Sequence, residues 1–182
     1  MQIVKNIDNL FLFKPDIIKD PRGLFYEKYK KSSFDKLINK KIIFKQDNMS
    51  FSKKNVLRGL HFQSKPNTQE KLISVISGKI YDVVVNINPN STNFKKHYAF
   101  ILSSSNKYQL WIPSDYAHGF FTLTSNVIIN YKVTTEYEPK KEKTIIWNDK
   151  ELNINWPLFK KSDLIISKKD SQGKNINNLF KY

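Results

Sequence analysis

Between residues 42 and 137 the chain is a succession of short apolar or alternating runs: "IIFKQDNMSFS", "NVLRGLHFQ", "KLISVIS", "KIYDVVVNI", "HYAFILS", "YQLWIPS", "GFFTLT" and "VIINYKVTTEY". Turn-forming clusters separate them: "KPNT", "SGK", "NPNST", "SSSN", "PSDYA" and "TSN". Runs this short, rich in β-branched and aromatic residues and punctuated this regularly, predict strands of a β-sandwich or barrel. The flanks extend the pattern. "QIVKNI", "LFLFKP" and "GLFYEKY" read as strands, with the loop "IIKDPRG" between the last two. "SSFDKLIN" predicts a short helix capped by Ser32 or Ser33, with Phe34, Leu37 and Ile38 on one face. After "IIWNDKELNINWP" the strand pattern fades, and residues 158–182 suit short helices or an extended tail. The expected fold is an all-β jelly roll with a few short peripheral helices. It forms one domain over 1–182, with N-terminal strands and helix in 1–41, the barrel core in 42–137 and a C-terminal segment in 138–182.

Charge at first suggests a polyanionic partner. The formal net charge is +15. The lysines are scattered in pairs such as Lys30-Lys31, Lys40-Lys41, Lys53-Lys54 and Lys95-Lys96, in a chain also heavy in Asn and Ile. Compositional bias explains such scatter, whereas a nucleic-acid surface needs the charge gathered on one face. No nucleic-acid partner is expected. Nor is a membrane: no stretch spans a bilayer, and the N-terminus lacks the apolar run of a signal peptide. The absence of cysteine excludes disulfides and thiolate metal sites, and the expected location is the cytoplasm.

The same bias makes the exceptions informative. Of 31 basic residues only Arg22 and Arg58 are arginine, whose planar fork suits phosphate as lysine does not. Glycine follows each of them, in "DPRGLF" and "VLRGLH", and Gly119 follows a histidine in "YAHGFF". Glycine permits turns, bulges or the close approach of a ligand or another backbone. In "VLRGLHFQ", regular pleating puts Leu57, Gly59, His61 and Gln63 on one face and Val56, Arg58, Leu60 and Phe62 on the other. Arg58 and His61 serve one site only if Gly59 permits a bulge. Otherwise one of the two is structural.

Other candidates are locally ambiguous. His97, after a turn and two lysines, is expected to face solvent. The three histidines lack the spacing of a jelly-roll metal site, so a metal-free site is expected. Tyr131 shares a strand face with Val127, Ile129 and Val133, which equally suits a core aromatic. Lys71 reads locally as a solvated lysine. Gln46 and Asn48, in "QDN", suit either base-edge recognition or the passage from strand to turn.

The ordered blocks "DPRGLFYEKY", "QDNMSFSKKNVLRGLHFQ", "QEKLISVISGKIYDVVVNI", "NKYQLWIPSDYAHGFFTLT", "YKVTTEY" and "IIWNDKELNINWP", with the tail "ISKKD", together resemble the dTDP-4-dehydrorhamnose 3,5-epimerase family. The resemblance spans nearly the whole chain. It implies a cupin-type jelly roll that works without metal or cofactor, usually as a homodimer. The activity implied is inversion of carbons 3 and 5 of dTDP-4-keto-6-deoxy-D-glucose through enolates. By resemblance His61 is the base and Asp170 its carboxylate partner, with Asp163 a second acid in a tail longer than usual. Tyr131 is the matching acid, and Lys71 lies near the keto oxygen. Arg22, Glu27, Gln46, Asn48, Arg58, His118, Tyr137 and Lys169 match substrate-binding residues. Arg22 and Glu27 lie on the N-terminal segment, which the family exchanges between subunits. The proline of "DPRG" departs from the family pattern with little expected effect. A single-centre epimerase, or one acting on a related nucleotide-linked 4-keto sugar, is the alternative.

Overall fold

The computed structural model describes residues 1–158 and 160–180. Its N-terminal part contains β1 (Gln2–Ile7), β2 (Leu10–Lys14), β3 (Ile17–Asp20), β4 (Gly23–Tyr26) and helix α1 (Lys31–Ile38). Then follow β5 (Gln46–Ser52), β6 (Val56–Gln63), β7 (Lys71–Ser77), β8 (Lys79–Asn86), β9 (His97–Ser103), β10 (Gln109–Ile112), β11 (Tyr116–Thr122) and β12 (Val127–Val133). The C-terminal part adds β13 (Glu142–Thr144), a 3-10 turn (Lys161–Asp163), β14 (Ile165–Ile166), α2 (Lys168–Ser171) and α3 (Ile176–Leu179).

The strands form two facing sheets that do not close into a continuous barrel. One has the order β1-β2-β10-β7-β12-β5. The other runs β13-β6-β11-β8-β9, with β14 pairing in parallel to β6. A separate hairpin joins β3 to β4. Alternation along each strand sorts side chains into layers. Leu10, Leu12, Ile73, Val75, Val84, Leu102 and Ile129 meet between the sheets. Leu57, Leu60, Phe62, Val83, Val85 and Phe121 face outward from the second sheet and are covered by Ile145, Leu152, Trp156 and Ile176 of the C-terminal segment. Phe13, Leu72 and Trp111 face outward from the first sheet and are covered by Phe34 of α1 and by Ile42. Phe34 is fully buried, its ring 5.3 Å from that of Trp111 and 5.6 Å from that of Phe13. Burying such a side chain contributes about 1.5–3 kcal/mol, and this docking holds the short helix.

The expected serine cap is not used. Helix α1 begins at Lys31, Lys30 occupies the cap position, and no side-chain capping bond forms. The covered face decides where the helix starts: Phe34 must reach Trp111, and its amide is already held by the Lys30 carbonyl at 2.9 Å. Asn39, in the left-handed conformation, ends the helix. The tail combines both expected forms, short helices and a two-residue strand, while residues 159, 181 and 182 lie outside the described set. His97 begins β9 half-buried rather than facing open solvent, because its strand pairs with Val85 of β8.

The predicted bulge in β6 is present. His118 of β11 pairs with His61 and Phe120 with Arg58, so Gly59 and Leu60 together oppose Gly119 alone. Gly59 has φ +116°, a conformation L side chains rarely adopt. A Cβ there would lie 2.6 Å from the Gly119 Cα, and a Cβ on Gly119 would lie 2.8 Å from the Arg58 carbonyl oxygen. The two glycines are thus a matched pair, required by the approach of two backbones. Gly59→Ala is expected to destabilise the fold by roughly 3 kcal/mol, read as a lower urea midpoint at unchanged m-value.

Candidate active site

A cavity of about 780 Å³ opens between the two sheets. On β5, Gln46, Asn48 and Ser50 pair with Val133, Tyr131 and Ile129 of β12, and on β7 Lys71 and Ile73 pair with Val133 and Tyr131. Residues opposite one another share a face, so Gln46, Asn48, Ser50, Lys71, Ile73, Ile129 and Tyr131 line one wall together. The other sheet supplies Arg58, His61, His118 and Phe120 from β6 and β11. The bulge makes this possible: it restores the pleat so that Arg58 and His61 both face the cavity while Leu57, Leu60 and Phe62 pack outward. Glu142, Lys169, Asp170 and Tyr137 complete the lining from β13, α2 and a loop.

His61 Nε2 lies 2.7 Å from Asp170 Oδ1, and the other carboxylate oxygen of Asp170 accepts the Gly59 amide at 3.1 Å. Ser167, the cap of α2, accepts the Asp170 amide at 3.1 Å. Burial pushes the Asp170 carboxyl up, but the hydrogen bond from His61, the charges of His61 and Lys169 and the Gly59 amide outweigh it, so it stays below the usual range. Asp163 lies in the 3-10 turn, and its recorded side-chain hydrogen bond is with Ser162. The carboxylate at His61 is therefore Asp170.

Lys71 is buried, with no hydrogen bond or ion pair of its own among the described residues. Desolvation lowers its pKa to about 8, partly offset by the negative charges of Glu142 and Asp82. Tyr131 is half-buried, and burial pushes its phenol above the usual value, so it remains protonated. Arg58 sits at an exposed edge of the cavity, donating from Nε to Ser52 Oγ at 3.2 Å and from Nη2 to the Phe51 carbonyl at 3.3 Å. Gln46 donates to Asn48 Oδ1 at 2.7 Å and accepts the Tyr137 amide at 2.7 Å.

Two acids, one lining the cavity and one behind its wall, are missed by sequence reading. Glu142 Oε2 accepts from Tyr137 Oη at 2.7 Å and from Lys169 Nζ at 2.6 Å. That contact raises the Tyr137 phenol to about 12. Glu142 stands in the charged run "PKKEKT", which carries no signal of a cavity. Asp82 is wholly buried, and His118 Nε2 lies 2.9 Å from its Oδ2. Asp82 does carry a signal: it is the one charged residue within "IYDVVVNI".

Arg22 and Glu27 are not brought to this cavity within the chain. Arg22 lies in the turn of the β3–β4 hairpin, its side chain 90% exposed and paired with Asp20 at 2.5 Å. Glu27 follows the hairpin and sits 4.0 Å from Lys30. Around them Ile18, Leu24 and Phe25 are 63%, 50% and 68% exposed. Among the described residues no three His, Cys, Asp or Glu side chains gather as metal ligands, and no helix is long and apolar enough to cross a membrane.

A family model for dTDP-4-dehydrorhamnose 3,5-epimerase matches residues 4–178. The enzyme of that name from Escherichia coli (strain K12) is 42% identical over 173 residues, 94% of this chain and 92% of that one. The crystal structure of dTDP-6-deoxy-D-glucose-3,5-epimerase from Legionella pneumophila, in complex with dTDP-4-keto-L-rhamnose, is 41% identical with a TM-score of 0.92, covering 98% of this chain and 93% of that one. The Bacillus anthracis dTDP-4-dehydrorhamnose 3,5-epimerase, solved with TDP and PPi bound, is 38% identical with a TM-score of 0.90 and covers 96% and 98% of the two chains.

Proposed function

Because the chain belongs to the dTDP-4-dehydrorhamnose 3,5-epimerase family, we propose that the cavity carries out its two inversions with His61 as base and Tyr131 as acid. The enzyme converts dTDP-4-keto-6-deoxy-D-glucose into dTDP-4-keto-L-rhamnose. The ketone at carbon 4 acidifies the hydrogens on carbons 3 and 5. Loss of either proton gives an enolate, and a proton returned from the opposite face inverts the carbon.

One observation carries the assignment: the two groups come from opposite sheets, His61 from β6 and Tyr131 from β12, with the cavity between them. With Asp170 accepting from Nε2, Nδ1 of His61 is left to take the proton, and the carboxylate stabilises the imidazolium that results. The protonated phenol of Tyr131 supplies the other face. Lys71, a buried cation on the Tyr131 wall, offsets charge at the enolate oxygen. Arg58 and, by segment exchange, Arg22 hold the nucleotide diphosphate, while Gln46, Asn48, His118, Tyr137 and Lys169 make the remaining substrate contacts.

Residues 1–182 act as one catalytic unit, in the cytoplasm, as a homodimer. The exposed apolar hairpin supports exchange of the N-terminal segment: Ile18, Leu24 and Phe25 find cover on a partner while Arg22 and Glu27 enter its cavity.

Turnover in deuterated water tests the reading. Deuterium is expected at both carbon 3 and carbon 5 of the product, and uptake at one carbon alone assigns a single-centre enzyme. Tyr131→Phe is expected to slow product formation roughly 10²-fold while solvent exchange survives, since His61 still removes and returns its own proton. Complete loss of exchange in folded Tyr131→Phe contradicts this division of labour.

A further inference from the structure

Asp82 lies outside the cavity lining, is 0% exposed, and among the described residues makes a side-chain hydrogen bond only to His118, at 2.9 Å. Its second oxygen, Oδ1, is buried with no hydrogen-bond partner among the described residues. Around it β8 is almost wholly apolar: Ile80, Val83, Val84 and Val85 are each 0% exposed. A carboxylate placed there, half unsatisfied and without an ion-paired lysine or arginine among the described residues, weakens the fold rather than supports it. Its charge also acts on Lys71, but its geometry is explained by what it does to its hydrogen-bond partner, His118.

We infer that Asp82 is a positioning residue that fixes the tautomer His118 presents to the substrate. The carboxylate accepts, so the proton of a neutral His118 ring resides on Nε2. Nδ1, which makes no hydrogen bond among the described residues, is left in the cavity wall as an acceptor. An acceptor at this point suits a hydroxyl of the sugar and repels a phosphate oxygen. His118 then reads the hexose, while the diphosphate belongs to the cationic residues elsewhere in the cavity. This assignment rests on the nucleotide-sugar reading above, but its first test does not.

That test is the ring ¹⁵N spectrum of the unliganded wild-type protein, followed upward in pH until the His118 ring nitrogens stop shifting, so that the neutral form is read directly. With three histidines in the chain the assignment is tractable. His118 is expected to carry its proton on Nε2 and a bare Nδ1, and a proton on Nδ1 overturns the inference whatever the enzyme's substrate. The second test is Asp82→Asn, which keeps the shape but whose amide accepts either tautomer. KM for dTDP-4-keto-6-deoxy-D-glucose is expected to rise roughly five- to tenfold, the loss of one neutral hydrogen bond. At pH 6.5, well below the range in which Lys71 loses its proton, kcat should change less than about threefold and the melting temperature should hold or rise. An unchanged KM in the folded variant, or a lower melting temperature with unchanged kinetics, overturns the assignment and leaves Asp82 a packing residue.

Discussion

Replacing His61 with asparagine is expected to reduce product formation by about 10³-fold or more and to abolish deuterium uptake at both carbons. Asparagine keeps much of the side-chain volume and can donate to Asp170, so the α2 contact survives and the loss is chemical. On the wall formed by β6 and β11, the other groups facing the cavity do not replace the base. Arg58 is a permanent cation, and the Nδ1 of His118 is taken up by a sugar hydroxyl in the assignment above. Wild-type turnover, or exchange persisting at either carbon, removes His61 from the role of base. Circular dichroism and the urea midpoint confirm that the variant is folded.

Lys71→Met is expected to show two effects of opposite sign. A cation near the developing enolate contributes in the manner of an oxyanion-hole donor, so kcat falls roughly 10²–10³-fold. Stability moves the other way. The folded pKa of Lys71 is about 8 against an ordinary 10.5, which corresponds to a penalty on the order of 3 kcal/mol for keeping it charged when buried. The sign follows from proton binding. Between pH 8 and 10.5 the unfolded chain holds the proton that the folded chain has lost, so the Lys71 contribution to stability rises with pH across that window. Below pH 8 the penalty is fully present. Methionine removes it, so the variant is expected to be more stable than wild type at pH 7, with the gain shrinking as pH is raised toward 9.5. The wild-type kcat/KM is expected to fall as pH rises through about 8, where the cation is lost. Activity declining while the Lys71 stability difference narrows, both over the same interval, is the signature of one proton serving both. An alkaline limb that persists unchanged in Lys71→Met assigns that limb to another group.

The residues behind these two predictions differ in how legible they are in the sequence. His61 stands out by composition alone, as a scarce residue beside a scarce arginine and a glycine. A regularly pleated strand cannot aim both His61 and Arg58 inward, so the pattern itself calls for a bulge, and the register shift opposite Gly119 supplies it. Lys71 carries no local signal at all. In "QEKLISVIS" it reads as one lysine among many, and its burial becomes visible only once β7 is found between β10 and β12 with Val133 opposite it. Glu142 is hidden for the same reason: three residues of β13 inside a charged run pair with β6 at Gln63, Phe62 and His61. The serine cap of α1 fails because local capping preference is worth less than seating Phe34 against Trp111.

Local order is written in short-range pattern. Alternation, turn residues and the placing of two arginines and three glycines beside scarce residues determined most of the strands and the sheet class, and the ordered motifs determined the family and the candidates for base and acid. Strand β3, which occupies the start of the expected loop "IIKDPRG", forms because it pairs with β4 across a tight turn. What only the tertiary structure decided is which charges lose water. Burial of Lys71 and Asp82, the approach of Asp170 to His61 across more than a hundred residues of chain, and the exposure of Arg22 on its hairpin all arise from long-range pairing. A side chain's chemistry depends on its solvent and neighbours, and those are set by residues distant in sequence, so periodicity alone does not reveal them.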